Sequence, residues 1–72
     1  MKQIWTTGKH DALVCITAAI DANGAFMAAA EDEHITENQF RNAVQEEYQD
    51  YAITVKNVGG YWRADGRLKD DS

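Results

Sequence analysis

The tetrapeptide Asp21-Ala22-Asn23-Gly24 separates two short apolar stretches, and its chemistry leaves the chain few paths. Asp at the first position, Asn at the third and Gly at the fourth are the preferences of a type I turn closed by a left-handed glycine, the loop of a bulged hairpin. With Gly24 as the bulge, Asp21 faces Ala25, Ile20 faces Phe26, Ala18 faces Ala28 and Ile16 faces Ala30. This register gathers Val14, Ile16, Ala18, Ile20, Phe26, Ala28 and Ala30 on one face. A two-residue Asn23-Gly24 turn would pair Ile16 with Glu31 and mix a charge into that set, so the bulged register is expected. Alanine is a poor strand former, and residues 25–30 read locally as helix, but small side chains on a sheet face let a helix approach closely.

A helix start follows. Thr36 and Gln39 fit a capping box, Ile35 and Phe40 sit at staple positions, and Glu37 lies in the positive first turn. Phe40, Ala43, Val44, Tyr48 and Tyr51 recur at helical spacing, which predicts a helix ending near Tyr51. Residues 52–58 and 61–65 flank Gly59-Gly60, a favourable two-residue hairpin turn. In that hairpin Ile53, Val55, Trp62 and Ala64 share one face, and Lys56, Val58, Tyr61 and Arg63 share the other. Asp65-Gly66 reads as another turn, and Ile4 and Trp5 suggest a short extra N-terminal strand. The fold class expected is α+β: an antiparallel sheet from two hairpins with one helix across one face, in ββαββ order. The expected organisation is a single domain over residues 1–66 with a polar tail over 67–72. Leu13, Cys15, Met27, Val58 and Tyr61 are expected on the sheet's uncovered face, as a contact surface.

At 72 residues the chain is too short for a doubly wound nucleotide-binding fold. With 44% apolar and 26% charged residues and no proline it has the composition of a folded domain. A lone Cys15 cannot form an internal bridge, which favours a reducing, cytoplasmic setting. Residues 12–20 are about half the ~20 that a membrane span requires, so no membrane contact is expected.

Candidate chemistry is sparse. Cys15 lies mid-strand among apolar residues, where burial makes thiols inert. His10 and Asp11 are adjacent, and on extended chain they point apart rather than acting as base and orienter. The segment Thr6-Thr7-Gly8-Lys9 lacks the first glycine and the hydroxyl residue of a phosphate loop. Asp32, Glu33, His34 and Glu37 have metal-like composition without a metal-ligand spacing. Trp5, Tyr61 and Trp62 on a sheet could stack bases, but a net charge of −5 opposes phosphate binding. No catalytic residue, metal site or cofactor is therefore expected, and the chain is not expected to be an enzyme.

The informative feature is where the charge lies. Glu31, Asp32, Glu33, Glu37, Glu46, Glu47 and Asp50 face Arg41 alone within residues 31–50, while residues 1–30 balance to zero. Glu46, Glu47 and Asp50 come late in the helix, where the macrodipole disfavours anions, so helix stability does not account for them. An acidic face of this kind is suited to a basic surface on another protein, and basic surfaces are commonly nucleic-acid grooves. In size, acidity and hairpin-helix-hairpin plan the chain resembles small host-takeover proteins of bacteriophages and mobile elements, including anti-CRISPR proteins. That resemblance implies a stoichiometric nucleic-acid mimic that blocks a basic nucleic-acid-binding protein or complex, acting as monomer or homodimer. The expected contact residues are the seven carboxylates together with Tyr61. A homo-oligomeric structural or regulatory subunit and an antitoxin-like partner are the competing expectations.

Overall fold

The computed structural model describes residues 1–69. Five strands and one helix follow in the order β1 (Lys2–Thr7), β2 (Leu13–Ile20), β3 (Phe26–Glu31), α1 (Glu37–Glu47), β4 (Tyr51–Val58) and β5 (Tyr61–Leu68). The strands form one antiparallel sheet ordered β1-β2-β3-β5-β4. The fold is thus α+β, with β1 as the extra strand. β5 lies between β3 and β4, so α1 carries the chain over β5 and delivers β4 to the edge.

The first hairpin has the bulged register. Ile20 pairs with Phe26 and Ala18 with Ala28. Gly24 adopts φ 80°, the left-handed conformation that the bulge requires, and the Asp21 carboxylate accepts from the amides of Asn23 and Ala25. The second hairpin turns at Gly59 and Gly60, both at positive φ, and joins Val58 to Tyr61.

One face of the sheet is covered. Ile4, Val14, Ile16, Ala18, Phe26, Ala28, Ala30 and Ala64 pack with Ile35, Phe40 and Val44 from the helix side in a single core. The capping box is formed in both directions, Gln39 N donating to Thr36 Oγ1 and Thr36 N to Gln39 Oε1. Gln39 also donates to Gly8 O, and Trp62 Nε1 to Ile35 O at 2.8 Å, which fixes the helix start to the sheet. At the other end Phe26, Tyr48 and Tyr51 form an aromatic cluster, with ring centroids 4.4 to 5.8 Å apart.

Several expectations are corrected. The helix ends at Glu47, with Tyr48 as its C-cap, short of Tyr51. Gln45 Nε2 donates to both Tyr48 O and Tyr51 O, and Tyr51 joins β4 opposite Leu68 while its ring still meets Tyr48. Helical spacing therefore read two elements as one stripe. Asp65-Gly66 is not a turn but the middle of β5, which runs through Arg67 and Leu68, two residues expected in the tail. Gly66 is needed for close approach: an added Cβ would stand 2.9 Å from Ala52 O and 3.2 Å from a Phe26 ring carbon. Ile20 is 48% exposed, because the core ends at its partner Phe26. Residues 70–72 of the expected tail lie outside the described residues.

The β2–β3 ladder also stops early, at Thr17 opposite Ala29, although β2 begins at Leu13 and β3 continues to Glu31. The expected Ile16–Ala30 pair is not made. Ala30 and Glu31 pair on their other side with Trp62 and Tyr61, and the following turn is held by Asp32 N to Gly60 O and by Lys9 N to His34 O. The pairing with β5 and the Asp32–Gly60 bond hold the end of β3 to β5 and leave a gap beside β2, which the Lys9–His34 bond spans at its far end.

Two substitutions test this packing by urea unfolding. Phe40→Ala is expected to cost about 3–5 kcal/mol, and a loss below ~1 kcal/mol would contradict its place in the core. Gly66→Ala is expected to cost about 1–3 kcal/mol by overpacking against Ala52 and Phe26, and an unchanged midpoint would contradict the close approach.

Candidate functional site

The seven carboxylates do not form one continuous patch. Glu31, Asp32 and Glu33 occupy the end of β3 and the turn after it, and Glu37 begins the helix. Glu46, Glu47 and Asp50 lie at the helix's far end, roughly 15 Å away along its axis. Their surroundings also differ. Asp32 accepts from Asn57 Nδ2 at 2.8 Å, Glu37 pairs with Arg41 at 3.7 Å, and Glu47 pairs with Lys2. Glu33, Glu46 and Asp50 are exposed, and among the described residues none of them makes an ion pair within 4 Å.

Lys2 ties β1 to the helix C-terminus. Its hydrogen bond to Glu47 holds its pKa above the usual lysine value, and the nearby charge of Glu47 adds to this. A raised lysine pKa stabilises the fold below about pH 10.5, the unfolded value, and this contribution fades as pH rises through the higher folded value. The ammonium also sits 5.8 Å from the Tyr48 ring centroid.

Tyr61 is remote from the helix end. It lies on the uncovered sheet face, cross-strand from Glu31. Alternation along the strands places Trp5, Leu13, Cys15, Met27 and Val58 on that same face, which includes all five residues expected there. Leu13, Trp5, Met27, Val58 and Tyr61 are exposed. Cys15 is half-buried on this face rather than enclosed in the core. Trp62 faces the helix side instead, with its indole N–H bonded to Ile35 O. The uncovered face is basic towards β4 and β5, where Lys56, Arg63 and Arg67 stand beside Asp65, itself 3.2 Å from Arg63.

The gap between β2 and β3 opens onto this face as a cleft of about 380 Å³. Leu13, Cys15, Ala29, Glu31, His34 and Tyr61 contribute to its walls. His34 closes one end, because its carbonyl approaches Gly8 so nearly that a Cβ there would collide with it and with Val14. The residues around this cleft had no signal in the sequence beyond alternation, since hairpin pairing alone continues the ladder through Ile16 and Ala30.

The metal-like composition resolves differently from its sequence order. Glu31, Glu33 and His34 bring one donor atom each within 4.8 Å of one another, whereas Asp32 turns to Asn57 and Glu37 to Arg41. Such a trio could offer oxygen and nitrogen ligands to a divalent cation. All three side chains are exposed, and Glu31 Oε2 and His34 Nε2 already meet at 3.3 Å. His10 and Asp11 form a tight turn with φ 57° at both residues, not extended chain, and both are exposed.

Among the described residues no helix is long and apolar enough to cross a membrane. Compared with protein-family models, characterised proteins and solved structures, the chain matches none.

Proposed function

We propose that the protein is a non-enzymatic, acidic binding module, a stoichiometric inhibitor that occupies a basic nucleic-acid-binding surface of another protein. The observation that carries this reading is the charge of the helix side. Six of the seven carboxylates, all but Glu31, lie in the turn before the helix, on the helix or just after it; among the described residues Glu37 meets Arg41, Glu47 meets Lys2 and Asp32 accepts from Asn57, while Glu33, Glu46 and Asp50 are exposed without an ion pair. Exposed carboxylates at both ends of a short helix present negative charge at two points roughly 15 Å apart, which a basic surface can meet together. Electrostatic steering gives such an encounter a fast, salt-sensitive on-rate.

A second reading, self-association into a structural or regulatory oligomer, is favoured by the exposure of Trp5, Leu13, Met27, Val58 and Tyr61 on one face. The two readings involve opposite sides of the molecule.

Affinity capture from a nuclease-treated bacterial lysate, with sedimentation of the purified protein, separates them. The inhibitor reading expects a nucleic-acid-binding protein that elutes with salt. A concentration-dependent mass, with only the bait retained, would replace it by self-association. The decisive variant is Glu46→Lys with Asp50→Lys, because Glu47 is needed to hold Lys2. Cations near a helix C-terminus favour the fold, so stability is expected to be kept while partner affinity falls about tenfold or more at low salt. Unchanged affinity would remove the acidic helix end from binding.

A further inference from the structure

The cleft between β2 and β3 combines features that the acidic reading leaves unused. Its lining is largely apolar, with Leu13, Cys15 and Ala29 in it, and its polar groups include the carboxylate of Glu31 beside His34. The Tyr61 ring stands across the strand from Glu31 and is half exposed at the rim. We propose that this cleft is a receptor pocket for one lysine or arginine side chain of a basic protein partner. The inference rests on the binding-module reading above and adds to it the chemistry of a specific contact.

Three properties select that occupant. A long basic side chain has an apolar stem and a charged head, and the cleft matches both, with a largely apolar lining and a carboxylate. Tyr61 adds the negative face of an aromatic ring, which attracts a cation and repels an anion. Glu33, whose carboxylate lies within 4.8 Å of the donor atoms of Glu31 and His34, raises the negative potential further. Among the described residues Glu31 is held only by the His34 imidazole at 3.3 Å, with both side chains more than half exposed, so an ammonium or guanidinium can take over that contact as a charge-assisted hydrogen bond. At about 380 Å³ the cleft has room for one such side chain. The break in the ladder supplies the space: where β2 and β3 would otherwise pair, the sheet has room for a side chain to enter from the uncovered face.

The test is a titration of the ¹⁵N-labelled full chain with the capped peptide Ala-Ala-Arg-Ala-Ala, its lysine counterpart and its citrulline counterpart, which keeps the shape of arginine without its charge. Saturable amide shifts centred on Leu13, Cys15, Ala29, Glu31 and Tyr61 are expected with both basic peptides and at least tenfold weaker binding with citrulline. Glu31→Gln and Tyr61→Leu change exposed side chains, so both variants are expected to keep the native spectrum, with binding at least fivefold weaker. Equal binding of citrulline, an unaffected Glu31→Gln variant, or shifts confined to Glu46, Glu47 and Asp50 would each overturn the pocket. The Glu46→Lys, Asp50→Lys protein separates this result from the broader reading. If it still fills the pocket but captures its lysate partner as well as before, the acidic helix end fails and the pocket stands. If capture is lost but no basic peptide enters the cleft, the pocket fails and the acidic reading stands.

Discussion

The fold depends on α1 covering one face of the sheet: its backbone lies nearest β1, β4 and β5, and its side chains fill the space above the middle strands. Ala18, Ala28 and Ala64 stand in direct cross-strand register on β2, β3 and β5, and Ala30 lies two residues along from Ala28. All four are buried. This row forms a shallow seat for Phe40 and Val44, whose bulk supplies the volume that the strands withhold. The dependence runs both ways. An 11-residue helix is too short to persist alone in water, so its capping box can direct a start but the seat must hold the helix in place. β3, for its part, is half alanine, a residue of weak strand preference, and gains its stability from being covered.

This division explains what the sequence could convey. The turn at Asp21, the glycine pair at 59 and 60, and the Thr36–Gln39 box are each decided by chemistry within a few residues, and each appears in the structure where its residues place it. The uncovered face was legible for the same reason, since alternation follows once a hairpin register is fixed. Features decided between distant segments were not legible. Tyr51 keeps helical spacing from Tyr48 yet belongs to β4, because its backbone pairs with Leu68. Gly66 resembles a turn residue in sequence but is there to admit the Phe26 ring. The break between β2 and β3 accompanies the pairing of Ala30 and Glu31 with β5 and the bond from Asp32 to Gly60, which no hairpin rule contains. The acidic residues were easy to count in sequence. Their separation into two groups at opposite ends of α1, with Glu31 on the other side of the sheet, required the fold.

Charge is therefore sorted by the sheet as well as by the chain. The helix side is acidic, while the uncovered side of β4 and β5 carries Lys56, Arg63 and Arg67. A molecule with such polarity is oriented by a partner's field before contact, so a basic surface meets the helix side first. Glu31 and Tyr61 lie on the opposite face, close to the strand end from which the chain turns into α1. A partner that wraps this end would touch both sides at once.

The strand order has a consequence for how the protein is made. β5 sits between β3 and β4 although it is synthesised after both. While the ribosome is still releasing residues 51–68, β3 has an unpaired edge, and β4, tethered by the helix, has no neighbour to bond. The first hairpin and β1 can assemble early, but closing the sheet must wait for one late strand to slide into an interior slot and bond on both sides. During that interval the nascent chain displays a backbone edge beside Phe26 and Ala28, and a second nascent chain could occupy it. The carboxylates of residues 31–37 follow that edge directly, and on crowded polysomes their mutual repulsion would keep two incomplete chains apart until each has received its own β5.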